Sequence, residues 1–136
     1  MRNERGAASV ELALVTPVLV LLMLFAVAGG RLASSRAGVD AAARDAARAA
    51  SIARTATAAE RDGLAAAEAT LADGRLSCRQ LDVTIDTVDF RAGGTVAAGV
   101  TCEVDLADLT GLGLPARRTV SSRFVEPVDL FRGVSP

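Results

Sequence analysis

Three features of this 136-residue sequence predict an α+β fold: an apolar run from Leu12 to Gly30, an alanine-dominated stretch from Leu32 to Asp73, and alternating apolar and polar residues after Gly74. The expected architecture is an N-terminal transmembrane helix continuing into a long Ala-rich helix, followed by a small three-stranded antiparallel β-sheet. The length suits one small domain plus a membrane segment, not two independent cores. The corresponding division is a cytoplasmic leader at 1–6, a transmembrane helix at 7–30, an Ala-rich extracytoplasmic helix at 31–73 and a small β-rich domain at 74–136.

Within Leu12 to Gly30 only Thr16 is polar. The run is 19 residues long, and at 1.5 Å per residue a helix of that length covers about 28 Å, close to the roughly 30 Å of hydrocarbon in a bilayer. Thr16 can bond back to a carbonyl of the preceding turn. Pro17 removes one backbone donor and should bend the helix near its start. Arg2 and Arg5 precede the run and Arg31 and Arg36 follow it, so charge alone does not orient the span. A short arginine-bearing leader before an uninterrupted apolar run resembles an export signal, which favours the N-terminus in the cytoplasm. A rival reading is a secretory signal peptide with an A-x-A site at Ala26-Val27-Ala28, releasing a soluble binding module that starts at Gly29. Against it, the apolar region is longer than the about 7–15 residues usual in such peptides. An unprocessed single-pass anchor is the other alternative.

Glu11 stands at the mouth of the apolar run. An ionised residue costs roughly 2.5–3.5 kcal/mol at mid-bilayer and less toward the interface, so its place invites a functional explanation. Cleavage after Gly6 would make Ala7 the new N-terminus and Glu11 the fifth residue of the mature chain. The plain alternative is an interfacial carboxylate that stays hydrated.

From Leu32 to Asp73 alanine, the best helix former, predominates, and Arg, Asp and Glu are spaced along one solvated face. Asp40 and Arg44 form an i,i+4 pair in the favourable order. The large apolar residues Val39, Ile52, Leu64 and Leu71 are sparse, so alanine must supply much of the packing stripe and would let another helix approach closely. Either a bundling face or a solvated stalk fits. Gly74 is the expected helix stop, and Gly29-Gly30 with Ser34-Ser35 offer a flexible bend between membrane and stalk.

The clearest strand is Thr95 to Leu106, where Val96, Ala98, Val100, Cys102, Val104 and Leu106 alternate with mostly polar or small residues. Leu81, Val83 and Ile85 mark a preceding strand, and the phase shift to Val88 and Phe90 marks a bulge or strand end. Arg91-Ala92-Gly93-Gly94 supplies turn glycines. A third strand is expected over Arg118 to Val125, with Val120 and Phe124 facing inward. Gly111-Leu112-Gly113-Leu114-Pro115 reads as an apolar loop, either a lid on the sheet or a partner contact. Three strands with one buried face are marginal alone and should pack on the end of the Ala-rich helix.

The net charge of −1 gives no electrostatic reason to expect nucleic acid. All basic residues are arginine and histidine is absent, which removes the usual general base and commonest metal ligand. No catalytic constellation, cofactor or small-molecule substrate is indicated, and the chain reads as non-enzymatic. Asp82, Asp86 and Asp89 could be considered for calcium, but Asp89 falls out of register with the other two and no ligand loop surrounds them. Cys78 and Cys102 would lie outside the cytoplasm, where disulfides persist. A bridge between them would join the helix–strand junction to the inward face of the second strand; buried free thiols are the alternative.

The stretch Arg5-Gly6-Ala7-Ala8-Ser9-Val10-Glu11-Leu12-Ala13-Leu14-Val15-Thr16-Pro17 resembles the opening of the TadE-like proteins, minor pseudopilins of the tight-adherence branch of type IV pilus systems. The resemblance rests mainly on residues 5–30. It implies that a prepilin-type membrane peptidase cuts between Gly6 and Ala7 on the cytoplasmic side. It also implies that the mature helix packs with other pilin-like or secretion-assembly proteins at the cell membrane, with Glu11 as its conspicuous acid. The carboxylate of Glu11 would pair with the free amine of Ala7, in the same or a neighbouring chain, so that two costly charges offset each other.

Overall fold

The computed structural model describes residues 4–105 and 117–131, with side chains described from residue 11 onward. The expected apolar loop at 111–115 and the strand end at Leu106 lie outside the described residues. The elements in order are α1 (Glu4–Ser51), α2 (Ala56–Asp73), β1 (Gln80–Asp86), β2 (Thr95–Asp105) and β3 (Arg117–Pro127). The fold is α+β, with a long apolar N-terminal helix, a second helix and a three-stranded antiparallel sheet.

The apolar run and the alanine-rich segment belong to one helix. Neither Gly29-Gly30 nor Ser34-Ser35 interrupts the helix, and α1 is continuous through both pairs. The Ser35 hydroxyl donates to the Arg31 carbonyl one turn back at 3.0 Å, so the serine is absorbed into the helix rather than ending it.

The alanine-rich segment is two helices where one was expected. The break falls at residues 52–55, where Thr55 is extended and its hydroxyl accepts from the Ala58 amide at 3.1 Å, a helix N-cap. From there α2 runs back along α1. Its buried stripe is Ala59, Gly63, Ala67 and Leu71, at four-residue spacing, and it meets Ala42, Ala43, Ala46 and Ala47 of α1, all fully buried. The alanine stripe thus finds its close-packed partners within the chain. Gly63 is a point of close approach: a Cβ there would lie 2.8 Å from Ile85 Cδ1 and 3.2 Å from the Ala46 carbonyl. Of the four sparse large residues, Val39 and Leu71 are core while Ile52 and Leu64 are exposed.

The end of α2 differs from expectation by one residue. Gly74 keeps a right-handed conformation and Arg75 takes the left-handed one, at φ 52°. The Leu76 amide donates to the Leu71 carbonyl and the Arg75 amide to the Ala72 carbonyl, both at 3.0 Å, which is a Schellman ending. Leu76 then packs against the core that holds Leu71. Had Gly74 taken the left-handed position, Arg75 would occupy the apolar slot. Burial of Leu76 decides the register.

The sheet is a meander in the order β1-β2-β3. The register places Cys102 between Leu81 and Val120, and Ala98 between Ile85 and Phe124. In β2 the residues Val96, Ala98, Val100, Cys102 and Val104 are buried, as the alternation predicts. In that layer α1 lies across β2 and β3, and α2 covers β1. The sheet therefore packs on both helices, not on the end of one. Gly93 adopts φ +75° in the β1–β2 connection, a conformation glycine takes without steric cost. Phe90 turns inward there, while Val88 is exposed.

Arg44 does not pair with Asp40 among the described residues; its guanidinium lies over the Phe124 ring, 5.1 Å from the centroid, a cation–π contact between α1 and β3. Asp45 accepts from the Thr70 hydroxyl at 2.8 Å. Part of the face predicted to be solvated is therefore used to join elements.

Candidate functional site

The candidate site is the first half of α1. Gly6 and Ala7 lie in its first turns and Glu11 one turn beyond Ala7, so Ala7 and Glu11 stand in i,i+4 relation on one helix. Glu11 is exposed. Beyond it every large apolar side chain from Leu12 to Val27 is exposed, Leu14 to 69% and Phe25 to 80%. The segment is long and apolar enough to cross a membrane, and none of it is buried against the rest of the chain.

Two local details adapt this helix to an apolar surrounding. The Thr16 hydroxyl donates to the Leu12 carbonyl at 2.6 Å, as the sequence predicts, so its one polar side chain spends its donor internally. Pro17 lies inside the helix and supplies no amide to the Ala13 carbonyl four residues earlier.

The second half of the site is the covalent and ionic bracing of the β region. Cys78 and Cys102 are joined by a disulfide with a Cα separation of 5.3 Å. Cys102 is fully buried, and the neighbouring Arg79 amide donates to the Glu103 carbonyl at 2.8 Å. The bridge therefore staples the α2–β1 connection to the central strand.

Two of the three carboxylates considered for calcium have other partners. Asp86 accepts from Arg123 Nη2 and from the Val88 amide, both at 3.2 Å, and Asp89 accepts from Arg91 Nε at 2.7 Å. Among the described residues no group of three or more His, Cys, Asp or Glu side chains is placed to hold a metal ion.

Sequence reasoning did not single out Thr55, Gly63 or Arg75. Thr55 has a legible signal, a hydroxyl residue opening a helical stretch. Gly63 looks like an ordinary helix weakness until α2 is folded against α1. Arg75 lines a cavity with Arg31, a meeting of distant residues that no local pattern announces.

Residues 6–48 match the family model described as TadE-like protein. The match begins at the glycine of the opening motif, runs through the apolar segment and ends within the buried alanine stripe. It supports the assignment of the chain to the TadE-like family. No curated protein and no solved structure matches the chain.

Proposed function

We propose that this TadE-like chain is a non-enzymatic, single-pass membrane component of a tight-adherence pilus or related secretion assembly. In this reading a prepilin-type peptidase removes residues 1–6, the N-terminus lies on the cytoplasmic side, and the α/β body stands outside the cytoplasm. The carrying observation is the coincidence of the family match, which starts at Gly6, with a helix segment, Leu12 to Val27, whose large apolar side chains are exposed among the described residues.

The chemistry follows from the helix. Cutting between Gly6 and Ala7 frees an amine one turn from the Glu11 carboxylate. Pairing offsets the cost of holding either charge near lipid, either within one chain or across to a neighbour. Leu12 to Val27 then serve as the surface that contacts lipid and other assembly subunits.

The test is the intact mass and N-terminal sequence of the chain extracted from membranes of its native host. A start at Ala7, lost in Gly6→Leu, is the expected result. An uncut chain removes the processing step, and a start at Gly29 replaces this reading with that of a secreted module. Alkaline extraction of the same membranes reports separately whether the chain stays in the bilayer.

A further inference from the structure

The apolar run ends at Gly30, and α1 continues without a break. The headgroup layer adds about 5–7 Å beyond the hydrocarbon on each side, which four or five helical residues cross at about 1.5 Å each. Residues 31–35 therefore lie at headgroup depth when the apolar run spans the membrane. At that depth a cavity of about 360 Å³ is lined by Arg31, Ser35, Arg75, Leu76, Ser77, Val104 and Asp105. An adjoining recess of about 300 Å³ is lined by Arg79, Gln80, Glu103 and Arg117.

The two recesses bring four arginines together with two carboxylates. Both carboxylates have an arginine close by: Asp105 is 3.5 Å from Arg79 and Glu103 is 3.5 Å from Arg117. Among the described residues Arg75 has no carboxylate within ion-pair reach. It is also the residue held in the left-handed position that glycine ordinarily takes, with Gly74 next to it. The capping register that packs Leu76 on the core sets Arg75 at this exposed position.

We propose that this rim binds the phosphate of acidic membrane phospholipids, with Arg31 and Arg75 gripping one headgroup and the Ser77 hydroxyl completing the cradle. Guanidinium groups suit this ligand because they offer paired donors to phosphate oxygens. The contact would set the α/β body against the bilayer surface instead of leaving it free to tilt on the helix. The proposal rests on the membrane-spanning reading of α1.

The full chain in detergent micelles, mixed with phosphatidylglycerol or phosphatidylcholine of matched acyl chains, is examined by native mass spectrometry. Phosphatidylglycerol adducts should exceed phosphatidylcholine adducts and should fall about thirtyfold in Arg31→Gln/Arg75→Gln, given the typical strength of an arginine at an anionic surface. Arg54→Gln/Arg61→Gln, away from this rim, should leave them unchanged. Arg75→Gly guards against misfolding as an explanation, because it relieves the left-handed strain: adducts should drop while the melting temperature holds or rises. Equal adducts for the two lipids, adducts indifferent to the rim variants, or full displacement by millimolar inorganic phosphate would each overturn the proposal. Alkaline extraction separates the two readings. A chain stripped from native membranes overturns the span and this site with it, whereas a retained chain without lipid preference overturns the site alone.

Discussion

Leu14 and Ala46 belong to the same unbroken helix, yet the leucine is 69% exposed and the alanine has no exposed surface at all. Hydropathy alone would have ranked them the other way. Among the described residues, the first half of α1 carries large side chains that stay exposed; the second carries small ones that are buried against α2 and the sheet. Large apolar side chains are stable when exposed only if something other than water surrounds them. Small ones gain from burial mainly by letting backbones approach, as Ala42, Ala43, Ala46 and Ala47 do against α2 and the sheet. One half thus leaves its large apolar side chains exposed, and the other is filled by its own chain.

That contrast can be tested, and the largest effect should come from the bracing of the filled half. Replacing Cys102 with alanine, or reducing the bridge, frees the connection to the central strand. Chemical denaturation in detergent should then show a loss of about 3–4 kcal/mol on the chain-entropy account. A bridge that contributed nothing would mean helix packing alone holds the sheet.

A paired substitution addresses the two halves directly. Ala46→Leu forces a larger side chain into the interface that α2 closes and should cost about 1–3 kcal/mol of body stability. Leu19→Ala, in the exposed half, should leave the unfolding of the body unchanged and show itself only in membrane retention. If both variants destabilise the body equally, the division of α1 into two regimes is wrong.

The smallest expected effect sharpens the point at which the chain turns back. Thr55→Ala removes the cap of α2 and should cost about 1 kcal/mol in the same denaturation assay. No change would show that packing of the Ala59–Leu71 stripe positions α2 without help from its cap.

Much of this was readable in the sequence because it depends on local pattern. The apolar run, the Gly6–Glu11 spacing, the internal bond of Thr16 and the alternation through β2 follow from residue type and period, which need no partner to be identified. The pairing of Cys78 with Cys102 was legible because strand phase placed Cys102 inward. The helix break was not. Residues 52–55 contain neither glycine nor proline, and with Ser51, Thr55 and Thr57 close together the hydroxyl that caps is not singled out by type alone. The continuity of α1 through Gly29-Gly30 has the complementary reason. Glycine lowers helix propensity by only about 1 kcal/mol, too little to interrupt a helix held at its far end by packing.

By itself the sequence determined which stretches are helical and which are strand, though not where the first helix ends, and which half of α1 carries the large apolar side chains, since hydropathy and periodicity act over a few residues. Only the tertiary structure decided what the alanine stripe packs against, that Arg75 and not Gly74 ends α2, and that Arg31 and Arg75 share one cavity. Each of these turns on which distant surface is available for burial. A stripe of small residues does not name its partner, and a capping register is chosen by where Leu76 can be buried.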